Sequence, residues 1–326
     1  MKITVLGAGA WGTALARILA ARDHDVTLWD FFPETIDLIR HTGRNERYLP
    51  GIDLPPNLRT EPDAAKALTG AELVVVAAVS KGLRNVTRVL GAYEGIVVSV
   101  TKGIEFETGL TMTDILKENS PCSRVVAMSG PTLAMEVARG IPTAIVAAST
   151  DAAAAQTVQA LFHSSAFRVY TSSDIHGVEL GGALKNVIAI GAGVCDGLGF
   201  GDNSKAALLT RAVSEMRRLG VACGAQADTF TGMSGLGDLM VTCFSKLSRN
   251  RGFGERLGQG EKAEAIVASM TAVAEGYPTA RSARELARKH GIETPIIEGV
   301  HAMCYEGKNV RQAVQDLTAR DSKAED

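Results

Sequence analysis

A doubly wound α/β domain followed by an all-helical domain is the fold class predicted for this 326-residue chain. Three observations predict it. Continuous runs rich in Val and Ile recur through the first half, and strands that are apolar throughout, rather than at alternate positions, are strands covered on both faces. Helical segments separate most of these runs, as parallel strands joined by crossovers require. After about residue 172 the strand signals stop and helical ones continue. Thr171-Ser172-Ser173-Asp174 suits a helix start at this junction, so the expected domains are 1–172 and 173–326.

In chain order, residues 2–6 (KITVL) read as a buried strand, 11–21 as a helix and 25–30 (DVTLWD) as a second strand. Residues 43–62 hold four prolines and no clear periodicity, which reads as an irregular excursion at the edge of the sheet. Residues 72–78, 96–101, 124–128 and 143–148 are further buried strands. Helices are expected over 174–195, 203–222, 251–258, 262–270, 278–290, 295–306 and 309–319, with a frayed tail after them.

Composition excludes several classes. Lys and Arg number 34 against 36 Asp and Glu, a net charge of −2, so no global basic field points to nucleic acid. No apolar run approaches the roughly 20 residues of a membrane span; the best candidate, 187–195, is short and broken by glycine. The N-terminal stretch MKITVLGAGAWGTALARILAA superficially resembles a signal peptide, but Gly7, Gly9 and Gly12 interrupt its apolar stretch and favour strand plus helix. The five cysteines form no CxxC pair and the six histidines no paired spacing. The expectation is therefore no metal and reduced thiols in the cytoplasm.

Gly7-Ala8-Gly9-Ala10-Trp11-Gly12 is a GxGxxG motif between a strand and a helix. In a dinucleotide site the first glycine permits the tight turn, the second lets the backbone approach a pyrophosphate, and the third lets helix and strand pack closely. The pyrophosphate then rests on the free N–H groups of the helix start. The alternative is a glycine-rich turn in a nucleotide-free domain. Asp30 closes the second strand, where a carboxylate can accept hydrogen bonds from ribose hydroxyls and repel a 2′-phosphate; it favours NAD over NADP, unless it is a solvated strand-end residue. Phe31 and Phe32 can stack on adenine or simply pack.

A second constellation lies downstream. Ligands of doubly wound domains bind outside the carboxyl ends of the strands, and two such ends carry Lys102 and Ser129-Gly130-Pro131-Thr132. Lys102 is either a cofactor-side cation or a solvated loop lysine. Lys185 and Asn186 are the only polar side chains between Gly181 and Cys195. A buried ammonium needs a partner or loses its proton, which makes Lys185 a candidate acid–base group, against the alternative of a snorkelling lysine. Gly235, Gly237 and Asp238 place a carboxylate in a glycine-rich turn ahead of Thr242. Ser248-Arg249-Asn250-Arg251 precede a short helix and combine a hydroxyl, guanidinium groups and helix-start amides, as an anion site does; surface charges are the alternative.

These segments together resemble the bacterial type of the NAD(P)-dependent glycerol-3-phosphate dehydrogenase family. The resemblance spans nearly the whole chain, through GAGAWGTALA, TKGIE, SGPTLAMEVARG, GLGDLMVTC, SRNRGFG, AEGYPTA and above all the block from Glu179 to Arg211. It implies a Rossmann-like N-terminal domain and a helical domain like that of 6-phosphogluconate dehydrogenase. The implied reaction is reversible hydride transfer between NAD(P)H and dihydroxyacetone phosphate, giving sn-glycerol 3-phosphate for glycerophospholipid synthesis, by a cytoplasmic homodimer. Carried over by residue, Lys185 is the proton donor and acceptor, Lys102 a second active-site lysine touching substrate and cofactor, and Asp238 holds the lysine or a substrate hydroxyl. Thr242 is on the substrate side. Ser248, Arg249 and Asn250 hold the phosphate, with Arg249 also near the cofactor. Gly130 and Thr132 belong to the substrate loop. Ala134, Val273, Glu275, Trp11, Phe32 and Tyr48 are cofactor contacts beside the glycine motif.

Three positions depart from the family pattern. Thr132 stands where serine is expected, Val79-Ser80 where Pro-Ser is frequent, and Asp30-Phe31-Phe32 where relatives often carry a basic or polar residue. Two other readings remain open from the residues. A related β-hydroxyacid dehydrogenase would take a carboxylate substrate. A nucleotide-binding regulator without catalysis would lack the lysine constellation that Lys102, Lys185 and Asp238 form here.

Overall fold

The computed structural model describes residues 1–270 and 272–320; the tail 321–326, read above as frayed, lies outside them. The chain divides into two compact units, one of Met1–Gly103 with Leu110–Glu179, the other of Ile104–Gly109 with the chain from Leu180 onward.

The first unit is built on an eight-stranded sheet in the order β3-β2-β1-β4-β5-β6-β7-β8. The strands are β1 (Lys2–Leu6), β2 (Asp25–Trp29), β3 (Arg59–Thr60), β4 (Leu73–Val76), β5 (Ile96–Ser99), β6 (Val125–Ser129), β7 (Thr143–Ala148) and β8 (Phe167–Ser172). Its helices are α1 (Ala10–Ala20), α2 (Pro33–Thr42), α3 (Ala64–Leu68), α4 (Leu83–Leu90), α5 (Met112–Asn119), α6 (Ala134–Ala138) and α7 (Ala152–Phe162). Alternate strand residues feed two cores. Val75, Val98 and Val126 join one apolar cluster with Leu15 and Phe162, while Val74, Val76, Val97 and Val125 join another with Met112 and Leu116. Both faces are thus covered, which is why these strands read as unbroken apolar runs.

Strand order reverses at β1, which has β2 on one side and β4 on the other. Such a switch point opens a crevice at the strands' carboxyl ends. Those ends are level: Leu6 pairs with Val76, Val76 with Ser99, and Ser99 with Ala127.

Two strands were not expected. The segment 43–62 contributes Arg59–Thr60 as a short parallel edge strand. At the other edge, Phe167–Ser172 alternates buried and exposed at its start because one face is open, so it carries no continuous apolar run. The β6–β7 pair is antiparallel, since the short helix α6 returns the chain without a full crossover.

α8 (Ile175–Gly197) starts in the first unit and continues as the centre of the second. It matches the helix expected over 174–195, and its apolar stretch extends beyond the run 187–195. Among the described residues it is the one helix long and apolar enough to cross a membrane, yet its most apolar window is entirely buried within the protein. A helix apolar all round needs such a coat. Here α9 (Asp202–Ala222), α10 (Asp238–Phe244), α11 (Arg249–Gly258), α12 (Ala263–Ser269), α13 (Gly276–Lys289), α14 (Pro295–Tyr305) and α15 (Val310–Thr318) complete the unit. Leu184, Ile188, Met216, Phe230, Phe253 and Ile297 share its core.

Candidate active site

At the switch point Gly7 leaves β1 with φ +116°, and a Cβ there would lie 2.6 Å from the Ala77 carbonyl oxygen. A side chain at Gly12 would collide with the Gly7 carbonyl oxygen, whereas one at Gly9 would meet nothing within 4 Å. Two glycines are therefore required by packing, and the middle one faces open space. The first helical bond of α1 runs from the Thr13 N–H to the Gly9 oxygen at 3.0 Å. The amides of Ala10, Trp11 and Gly12 precede it and have no intrahelical acceptor. This cradle of N–H groups beside an open glycine fits a dinucleotide pyrophosphate.

Asp30 braces the turn. Its Oδ2 accepts the Ala8 N–H at 2.6 Å and its Oδ1 the Phe32 N–H at 3.0 Å. Each oxygen keeps a further lone pair for a ribose hydroxyl. Asn45, which sequence reasoning passed over, is 1 % exposed. Its amide donates to the Ala8 oxygen and the Thr13 hydroxyl, both at 2.8 Å, and ties the 43–62 excursion to the glycine turn. Trp11 and Ala134 flank one small apolar cluster that includes Leu49, the neighbour of Tyr48. Tyr48 itself lies beneath the Arg47 guanidinium, 5.2 Å from it. Phe32 is exposed and meets Phe31 edge to face.

At the ends of β5 and β6, Lys102 Nζ and Thr132 Oγ1 both donate to the Gly130 carbonyl oxygen, at 3.2 and 3.1 Å. The strand ends thus bring together three of the expected site residues. Beside them the Val79-Ser80 departure is absorbed by an extended Val79 and a short 3-10 turn over Ser80–Gly82.

The second unit holds the other cluster. Lys185 is 6 % exposed, and its ammonium lies 2.9 Å from Asp238 Oδ1 and donates to Thr242 Oγ1 at 2.6 Å. Asp238 and Thr242 are buried as well. The Thr242 hydroxyl has one proton, which goes to the Asp238 carbonyl oxygen at 2.7 Å or its carboxylate at 3.2 Å, while its lone pair accepts from the lysine. Lys185 is therefore not a snorkelling lysine: a buried carboxylate compensates its charge. The glycine-rich turn expected around Asp238 is helical. Met233–Gly237 form one π-helical turn that runs directly into α10, of which Asp238 is the first residue, so its backbone is fixed by helical bonds on both sides. Neighbouring Cys243 is no rival nucleophile, since burial pushes its thiol up to about 12.

Ser248 caps α11 by accepting the Arg251 N–H at 3.2 Å. Arg249 is the first residue of that helix and is exposed. Desolvation by surrounding protein lowers its guanidinium pKa from the ordinary value, and the charge of Glu275 opposes this; the side chain stays cationic. Asn250 donates to Asn186 Oδ1 and accepts the Gly276 N–H, both at 2.8 Å. Val273 is exposed and Glu275 stands just before α13. Arg251 does not join an anion site as its position in the motif suggested: it is nearly buried and pairs with Asp196 and Glu255.

Family descriptions match both parts of the chain: the N-terminal region of NAD-dependent glycerol-3-phosphate dehydrogenase over residues 2–155, and its C-terminal region over residues 174–315. The chain belongs to the NAD-dependent glycerol-3-phosphate dehydrogenase family. A glycerol-3-phosphate dehydrogenase (NAD(P)+) of Trichlorobacter lovleyi is 50 % identical over 331 residues, covering 100 % of this chain and 99 % of its own. The one from Anaeromyxobacter dehalogenans is 48 % identical, with both chains fully covered. Among solved structures, glycerol-3-phosphate dehydrogenase from Coxiella burnetii superposes with a TM-score of 0.94 at 35 % identity, over 98 % of this chain and 99 % of that one. Family membership makes the chain an oxidoreductase that uses NAD or NADP.

Proposed function

We propose that this chain interconverts dihydroxyacetone phosphate and sn-glycerol 3-phosphate, with Lys185 as the group that gives and takes the proton. The observation that carries the reading is the buried Lys185–Asp238–Thr242 cluster, an ammonium held by a carboxylate and a hydroxyl inside an otherwise apolar helix. A bound nicotinamide dinucleotide supplies the hydride.

In the reductive direction negative charge develops on the carbonyl oxygen of the substrate, and Lys185 donates a proton to it. Asp238 keeps the ammonium oriented and charged before transfer. Lys102 adds positive potential, and the Gly130–Thr132 loop lines the substrate. Ser248, Arg249 and Asn250 hold the phosphate, so that binding energy remote from the reacting carbon is used for orientation. On the cofactor side, Gly7, Gly9, Ala10, Trp11 and Gly12 carry the pyrophosphate end, with Asp30, Phe32, Tyr48, Ala134, Val273 and Glu275 as further contacts. In this reading residues 1–172 bind the dinucleotide and 173–326 supply the acid–base and phosphate groups. The reading includes a homodimer, and a cytoplasmic location that suits five unpaired cysteines.

The direct test is oxidation of NADH or NADPH by dihydroxyacetone phosphate, followed at the reduced nicotinamide band; folded protein that turns over neither cofactor overturns the reading. Lys185→Ala should collapse kcat with little change in KM, whereas Arg249→Ala should chiefly raise KM for the phosphorylated substrate. Equal, mild effects of both would reverse the assignment. Asp30 repels a 2′-phosphate, so kcat/KM should be higher with NADH than with NADPH; the opposite ratio would remove Asp30 as the selecting residue.

A further inference from the structure

The helix bearing Lys185 and the helix that opens with Arg249 run parallel, in backbone contact. Asn186 meets Asn250, Ile190 meets Gly254 and Val194 meets Gly258, steps of four residues on both helices. A side chain at Gly254 would collide with the Ile190 carbonyl oxygen, and one at Gly258 would lie 2.8 Å from that of Val194. Gly193 and Gly197 of α8 leave the same clearance for the backbone around Arg251 and Glu255. These clearances already bar a slip by a whole residue, which would set a Cβ against a facing backbone oxygen; the finer placement of one helix on the other is left to directional groups along the seam.

The seam has two such groups. One is the Asn186–Asn250 bond beside Lys185. The other is a buried ion cluster at the far end of α8. There Asp196 lies 2.5 Å from Lys205 Nζ through Oδ1 and 2.7 Å from Arg251 Nε through Oδ2. The Arg251 N–H is not aligned for a hydrogen bond to that oxygen, so the contact is an ion pair. Arg251 also reaches Glu255 at 3.1 Å, and Lys205 Nζ sits 5.2 Å from the Phe244 ring centroid. Both cations are 7 % exposed. Arg251 is one residue from Asn250 in sequence, yet its side chain spans the seam to a carboxylate ten residues beyond Asn186.

We infer that Asp196, Arg251 and Lys205 form a clamp that fixes the register of α11 on α8, and through it the separation between the phosphate-holding Arg249 and Asn250 and the proton-transferring Lys185. They are positioning residues for the reaction proposed above, on which this inference rests. A misplacement of about 1 Å at this distance from the chemistry costs on the order of a hundredfold in rate, and here the loss should follow the phosphate.

The test is Asp196→Asn, assayed with dihydroxyacetone phosphate and with unphosphorylated dihydroxyacetone. The expected result is a rise in KM for the phosphate ester of roughly ten- to a hundredfold, with kcat/KM for dihydroxyacetone within about twofold of the parent, since that substrate never uses the phosphate site. Calorimetric affinity for sn-glycerol 3-phosphate should fall in parallel. Arg251→Lys keeps the charge but loses the fork, and should give an intermediate KM; it carries the test alone if Asp196→Asn does not fold. An equal loss on both substrates, or an unchanged KM for the ester, overturns the clamp. Absence of turnover in the parent protein overturns the underlying reading instead.

Discussion

Asp238 is the residue on which the charge state of the site depends. Its carboxylate is 2.9 Å from Lys185 in surroundings that exclude water. Removing one partner of a buried pair strands the other charge and costs about 3–5 kcal/mol. Asp238→Asn should therefore lower stability by that order in denaturant melts, and lower kcat on the order of a hundredfold or more as proton transfer is lost. A variant as stable as the parent would show that the ammonium has another compensating group. The sequence singled out Lys185, because an ammonium in an apolar run is conspicuous by itself. Residue patterns alone did not pair it with Thr242, since that bond spans 57 residues and no local pattern encodes it; Asp238 as its holder came only from the family resemblance, as one of two roles. Asn45 was illegible for the opposite reason: a buried asparagine in an irregular segment looks like any loop asparagine until its partners are seen.

At the scale of the element, the glycine turn and α1 divide between fold and ligand. Gly12→Ala puts a methyl group into the Gly7 carbonyl oxygen, so β1 and α1 must separate. Gly9→Ala adds a methyl group into open space. Thermal melts combined with NADH titration should separate the two: Gly12→Ala loses stability by roughly 2 kcal/mol or more, as overpacked sites do, while Gly9→Ala keeps its melting temperature and loses dinucleotide affinity. A stable Gly12→Ala variant, or a Gly9→Ala variant with parental affinity, would contradict this division. Doubly covered strands were legible because burial on both faces leaves an unbroken apolar run. β8 was not, because an edge with one open face alternates and a search for continuous runs passes it by. The π turn before α10 reads in sequence only as a glycine-rich turn, because its two glycines mark a turn without saying why; Gly235 is there for close approach to the Phe230 backbone.

Across the whole molecule, the two units carry separate cores. In the second unit Glu215 of α9 is 1 % exposed and accepts the N–H groups of Ile296 and Ile297 in the first turn of α14, at 3.0 and 2.9 Å. Burial pushes its carboxyl up to about 7, against those two bonds and the charges of Arg218 and Arg320. The folded value is above the unfolded one near 4.5, so the native state holds the proton more tightly. That stabilisation is fully present below about pH 4.5 and is lost as pH rises through about 7, on the order of 3 kcal/mol in all. Between pH 5 and 7.5 the parent should lose stability relative to Glu215→Gln; parallel pH profiles for the two would exclude Glu215 as the cause. Such a group is not legible in sequence, because a glutamate on an amphipathic helix is ordinarily a solvated one.

The partition of the chain also bears on how such a protein can be taken apart. The chain changes unit after Gly103, again after Gly109 and a third time after Glu179. The brief excursion is not idle: Ile104 lies in the core of the helical unit, and the Phe106 ring packs 3.9 Å from the Arg281 guanidinium. The two halves are therefore not interchangeable cassettes. A gene split or a domain swap at the sequence boundary near residue 172 would carry six residues of the helical unit, Ile104–Gly109, away with the first unit, just past Lys102.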